Sequence, residues 1–111
     1  MYFNIPGTKD ILIKNMTGED LKDIYLSFEG IEKHPLKISN IRKDGQVVKT
    51  LVLSYLHKTT ELKLHYFMDN EKQEIAVYDN LNKNDLRKLV MIIYKKDGQL
   101  DVKTTVDEKN I

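Results

Sequence analysis

The residues able to do acid–base or nucleophilic chemistry are few: three histidines (His34, His57 and His65), three serines (Ser27, Ser39 and Ser54), and no cysteine. A nucleophilic serine needs a base within reach and a group that orients the base. None of the serines stands in a G-x-S-x-G elbow, and all three lie within or beside segments with a strand pattern rather than at a strand-to-helix turn. Catalysis would therefore need a site assembled from dispersed residues, with His57, His65 and nearby carboxylates as its acid–base candidates. Metal chemistry lacks a framework as well. There is no H-x-x-x-H or H-E-x-x-H, and "DNEKQE" (Asp69 to Glu74) lacks the spaced acidic ligands of a calcium loop and reads as a hairpin turn. Glu19, Asp20 and Asp23 crowd one turn, where solvation of the loop explains them better than a weakly held cation does. The five glycines are dispersed and mark turns rather than a phosphate cradle. Absence of cysteine removes disulfides, zinc–thiolate sites and iron–sulfur clusters together. The expectation is a non-enzymatic chain with no cofactor and no metal.

Binding chemistry concentrates in "KLHYFMDNEKQEIAVY" (Lys63 to Tyr78). As a hairpin with Met68 opposite Gln73, Tyr66 opposite Ile75 and Leu64 opposite Val77, it gathers Leu62, Leu64, Tyr66, Met68, Ile75 and Val77 on one apolar face. The other face then holds Lys63, His65 and Phe67 opposite Tyr78, Ala76 and Glu74. Aromatics on a face that should be wet point to a partner-binding patch made of Lys63, His65, Phe67 and Tyr78. Ordinary cross-strand pairing of aromatics on a solvated sheet accounts for the same residues.

The elements that must position this patch are strands. Apolar residues recur mainly with period two, in short runs broken every few residues by turn chemistry, which is the pattern of an all-β sandwich or barrel. The runs are "DILIKN" (Asp10 to Asn15), "LKDIYLSF" (Leu21 to Phe28), "PLKIS" (Pro35 to Ser39), "VVKTLVLSY" (Val47 to Tyr55), "ELKLHYFM" (Glu61 to Met68), "QEIAVYD" (Gln73 to Asp79) and the pair "KLVMIIYK" and "QLDVKTTV" (Lys88 to Val106). That makes seven to eight strands in one domain, residues 1–111, a length suited to a single core. In "NDLRKLVMIIYKKDG", Leu86, Leu89, Val90 and Ile93 also fit a helical spacing. The β-type residues Val90, Ile92, Ile93 and Tyr94, and the need of "QLDVKTTV" for a partner, favour strand from Lys88, with a helical turn allowed in "NKNDL".

The tetrapeptide KDGQ occurs at Lys43 to Gln46 and again at Lys96 to Gln99. The second reads as a type I′ hairpin turn with Lys96 opposite Gln99, Ile93 opposite Val102 and Leu89 opposite Val106, a register that puts Leu89, Met91, Ile93, Leu100, Val102 and Val106 on one face. The first cannot close such a hairpin, because Ile41 and Ile38 are three residues apart and fall on opposite faces of an unbroken strand. "ISNIRKDG" reads instead as a connection that crosses between sheets and ends in a turn.

The formal charge is +1, so the strong positive field of a nucleic-acid binder is missing, and with only Arg42 and Arg87 the bidentate donors for phosphate or bases are few. A modest basic stretch, residues 33–63, reads as solvated lysines along strands. No apolar run approaches the roughly 18 residues of a membrane span, and the start lacks a signal-peptide pattern, so a cytoplasmic location is expected. The sequon at Asn15 has no secretory context to give it meaning. In outline, "IKNMTGEDLKDIYLSF", the polar connection closing on Gly45, "VVKTLVL", "ELKLHYF", "EIAVY" and the final hairpin resemble an immunoglobulin-like or fibronectin type III-like β-sandwich. The resemblance implies an antiparallel two-sheet fold and carries no function, since the paired cysteines and core tryptophan of antibody domains are absent. The expected function is a small interaction module with a protein partner. The alternatives are a structural subunit of a larger assembly, for example a phage particle, and a small-ligand binder or enzyme with a dispersed site.

Overall fold

A computed structural model of the chain describes residues 7–38 and 40–107. The period-two segments form β1 (Thr8–Asn15), β2 (Ile24–Ser27), β3 (Leu36–Ile38), β4 (Gln46–Val52), β5 (Thr60–Met68), β6 (Glu71–Leu81), β7 (Lys88–Lys96) and β8 (Gln99–Asp107). The described residues contain no helix, so "NKNDL" is not helical. It forms a turn in which the Asp85 amide donates to the Asn82 carbonyl (3.4 Å) and the Asn84 amide to the Asn82 side chain (2.9 Å). Ser39, the end of the third expected strand, lies outside the described residues.

The fold is all-β, with two four-stranded sheets in the orders β4-β1-β7-β8 and β3-β2-β5-β6. Alternation explains how each strand supplies the core. On β1, Ile11 and Ile13 point inward between half-buried neighbours, and on β7, Leu89, Met91 and Ile93 do the same. They meet Leu26, Leu62 and Leu64 of the second sheet in one buried cluster. Each such side chain contributes roughly 1.5–3 kcal/mol on leaving water. The sheets are not antiparallel throughout, as the sequence had suggested: β1 runs parallel to β7, with Ile11 opposite Leu89 and Ile13 opposite Met91. No hairpin links these two strands; β2 to β6 intervene between them, the long crossover that a parallel pair requires.

The β7–β8 hairpin has the expected register, including Lys96 opposite Gln99, Ile93 opposite Val102 and Leu89 opposite Val106. Asp97 and Gly98 take positive φ values of 53° and 79°, which is what a type I′ turn requires of both central residues. The first KDGQ segment does cross between sheets, because β3 and β4 belong to different ones. Its turn is closed by the Gly45 amide on the Arg42 carbonyl (2.8 Å), and Asp44 rather than Gly45 takes the positive φ, at 62°. Gly98→Val should therefore destabilise the fold by about 1–2 kcal/mol through backbone strain. At Gly45, whose φ is not positive, a new Cβ would meet the Arg42 carbonyl oxygen at 3.0 Å and the Arg42 carbonyl carbon and Cβ at 3.6 Å, a tight contact without the backbone strain. Urea midpoints of the two variants measure the contrast, with Gly98→Val expected to be the lower.

The β5–β6 hairpin departs from expectation in register. Its turn is tight, with Asp69 and Asn70 both at positive φ (52° and 66°), so Met68 lies opposite Glu71, Tyr66 opposite Gln73 and Leu64 opposite Ile75. The pairing is two residues tighter than Met68 with Gln73, and a two-residue shift leaves each side chain on its original face. Further along the hairpin the ladder shifts on both sides of Leu62, which pairs with Tyr78. Each shift adds one residue on β6, and the first, between Ala76 and Tyr78, re-aims Tyr78 toward the core instead of the outer face.

Candidate functional site

The outer face of the β3-β2-β5-β6 sheet carries an aromatic cluster. Tyr25 on β2 lies opposite His65 on β5, and their rings stack at a centroid distance of 4.9 Å with an interplanar angle of 8°. Phe67, the next outward residue of β5, meets His65 edge-on at 5.9 Å and Tyr25 edge-on at 6.4 Å. Aromatic pairs favour such stacked and edge-to-face arrangements. Two rings thus cover His65, leaving it 5% exposed on a sheet surface, while Phe67 stays 54% exposed. Charges frame the cluster: Lys37 opposite Tyr25, Glu74 opposite His65 and Lys72 opposite Phe67. Lys63 lies one step along β5, with its Nζ 3.8 Å from both Glu61 and Glu74, and Lys72 reaches Glu74 at 3.6 Å.

Of the residues expected to form the patch, Lys63, His65 and Phe67 share this face and Tyr78 does not. Tyr25 takes its place. Alternation in "DIYLSF" already sets Tyr25 opposite in sense to Ile24 and Leu26, but only the β2–β5 pairing brings it beside His65.

The His65 Nδ1 is buried and has no hydrogen-bond partner among the described residues. Burial under the two rings pushes the imidazole pKa down, Lys72 adds to this, and Glu74 opposes it. The folded state thus resists a proton that the unfolded chain takes up below about pH 6.5, so this group costs stability progressively as pH falls through that value. His65→Phe should flatten the loss of melting temperature between about pH 7 and pH 5 relative to the parent. Parallel profiles would show that His65 is not the titrating group.

Tyr78 belongs to a different constellation at one end of the core. Lys9, on the inward face of β1, is 1% exposed, and its Nζ donates to the Asp85 carbonyl at 3.0 Å, lies 3.8 Å from the Asp85 carboxylate and sits 5.5 Å from the centre of the Tyr78 ring. Arg87 grips the same carboxylate through Nε at 2.8 Å and Nη2 at 2.7 Å. That grip holds the Asp85 carboxyl far below the usual carboxylate range, and burial lowers the Lys9 pKa against the pull of Asp85. The group ties β1 to the β6–β7 connection and explains how a lysine can end a core strand.

At the opposite end of β1, the buried Asn15 amide donates to the carbonyls of Glu19 (2.7 Å), Ile41 (3.0 Å) and Arg42 (3.1 Å), and its oxygen accepts from the Thr17 amide and hydroxyl. The sequon asparagine is thereby committed to joining two connections. His34 and His57 are exposed. An open groove of about 310 Å³ beside the β7–β8 turn is lined by Leu21, Ile24, Tyr66, Phe67, Met68 and Leu100, with Lys95 and Glu19 paired at its rim and no histidine in its wall. Among the described residues, no group of three His, Asp or Glu side chains comes together in a way that could hold a metal ion.

The fold and this face define an all-β protein of two four-stranded sheets with an aromatic patch on one outer surface. Comparison with protein-family models and with curated proteins finds no match. Among solved structures, the NMR structure of a protein from Eubacterium rectale is similar at a TM-score of 0.55 and 11% identity, covering 95% of this chain and 93% of that one. At that identity the likeness shows a shared fold.

Proposed function

We propose that the protein is a non-enzymatic interaction module that engages a protein partner through the outer face of the β3-β2-β5-β6 sheet, in the cytoplasm. The observation that carries this reading is the Tyr25–His65–Phe67 cluster, with Phe67 half exposed at its edge and Lys37, Lys63, Lys72 and Glu74 around it. Protein interfaces have this anatomy of an aromatic anchor inside a charged rim. His65 lies opposite Glu74 and outside the groove that Phe67 borders, which suits recognition more than proton transfer. We also read the sandwich as immunoglobulin-like in outline. The second and fifth strands are neighbours, as in that fold, whereas the third stays beside the second instead of joining the other sheet.

Phe67→Ser tests the proposal. The side chain is half exposed and outside the core, so the variant should melt within a few degrees of the parent, while recovery of a specific partner from an extract of the source organism, quantified by mass spectrometry, should fall at least about tenfold. Equal recovery by parent and variant would contradict the assignment of this face.

A further inference from the structure

The other sheet presents a second surface, remote from the aromatic cluster. On the outer face of β4-β1-β7-β8, the registers align Val48 with Leu12 and Leu12 with Val90, an apolar row across three strands. Val48 is 54% exposed, and Val52, two residues along β4, is 55% exposed. The rows on either side differ in net charge, two lysines in one against two aspartates and Lys88 in the other. On one side Lys14 of β1 lies beside Ile92, which pairs with Lys103 of β8. On the other are Asp10 of β1, which accepts the Thr50 hydroxyl at 2.7 Å, and Asp107 of β8, opposite Lys88.

We propose that this face binds a second copy of the chain. A two-fold axis lying in the interface along the Val48–Leu12–Val90 row stacks that row on its own copy and exchanges the two flanking rows. Lys14 then lies over Asp10 of the second copy and Lys103 over Asp107, each contact made twice. A self-complementary pattern of this kind is what an isologous interface demands. Partners of other sequence need no such antisymmetry about one row.

Four strands at about 4.8 Å spacing and five outward rows at about 6.8 Å cover roughly 500 Å² per copy, or about 1,000 Å² in all, which is the lower limit of a specific interface. Association by the edge of β4 is disfavoured. Lys49 lies opposite the buried Ile11 and so points inward at that edge, a device that hinders strand addition.

Sedimentation velocity from about 1 µM to about 1 mM should show the parent passing from one chain to two. Val48→Glu, at an exposed position, should keep the parent's circular dichroism and weaken the dimer at least about tenfold. Lys14→Glu and Asp10→Lys should each remain single chains, because like charges then face one another across the axis. Mixed together they should form a heterodimer, since every facing pair is again opposite in sign. A parent that stays a single chain throughout overturns the proposal. So does a Val48→Glu dimer as tight as the parent's, or a mixture of the two charge variants that does not associate.

Discussion

Leu64→Ser should leave the protein largely unfolded at 25 °C, whereas Phe67→Ser, on the same strand but facing the other way, should not. Leu64 is fully buried between the sheets. Truncating a buried leucine costs about 3–5 kcal/mol, and an unpartnered hydroxyl in the same cavity adds about 1–3 kcal/mol. Their sum approaches the whole stability of an ordinary domain, about 5–15 kcal/mol. Far-UV circular dichroism in increasing urea measures both variants in one experiment. A folded Leu64→Ser protein would mean that β5 presents the opposite face to the core, which would also bury the aromatic cluster.

A comparable loss is expected from Lys9→Glu, and only a small one from Lys9→Met. Glutamate would bury a carboxylate beside Asp85, with repulsion in place of the Lys9 attraction, at a cost of about 3–5 kcal/mol. Methionine keeps the packed stem, and Asp85 retains both contacts from Arg87, so the variant loses mainly the hydrogen bond to the Asp85 carbonyl, about 1 kcal/mol. Thermal melts at neutral pH distinguish them. Similar melting temperatures for the two variants would show that charge at this end of the core is immaterial.

The strands were legible because most carry an apolar set in alternation, and the β7–β8 register because Asp97–Gly98 admits one tight turn. Other features were hidden for physical reasons. The parallel pairing of β1 and β7 joins segments whose relation no turn announces, and the partnership of Tyr25 with His65 depends on such a long-range pairing. In the β5–β6 hairpin, Asp69–Asn70 was the shorter of two turns compatible with the same faces. The bulge opposite Leu62 has no glycine or proline to mark it, so unbroken alternation puts Tyr78 on the wrong side. Lys9 reads as a surface residue in sequence, because its neutralising neighbours Asp85 and Arg87 lie in a connection almost the whole chain away.

Site-specific photo-crosslinking tests the assignment of the aromatic face most directly. A photoreactive phenylalanine analogue replaces Lys72, beside Phe67, in one protein and Thr50, on the opposite sheet, in another, each irradiated in an extract of the source organism. The account predicts a discrete crosslink to a different protein from position 72, abolished when Phe67→Ser is added, and from position 50 a crosslink only to a second copy of the chain. A different protein captured from position 50 and none from position 72 would contradict it.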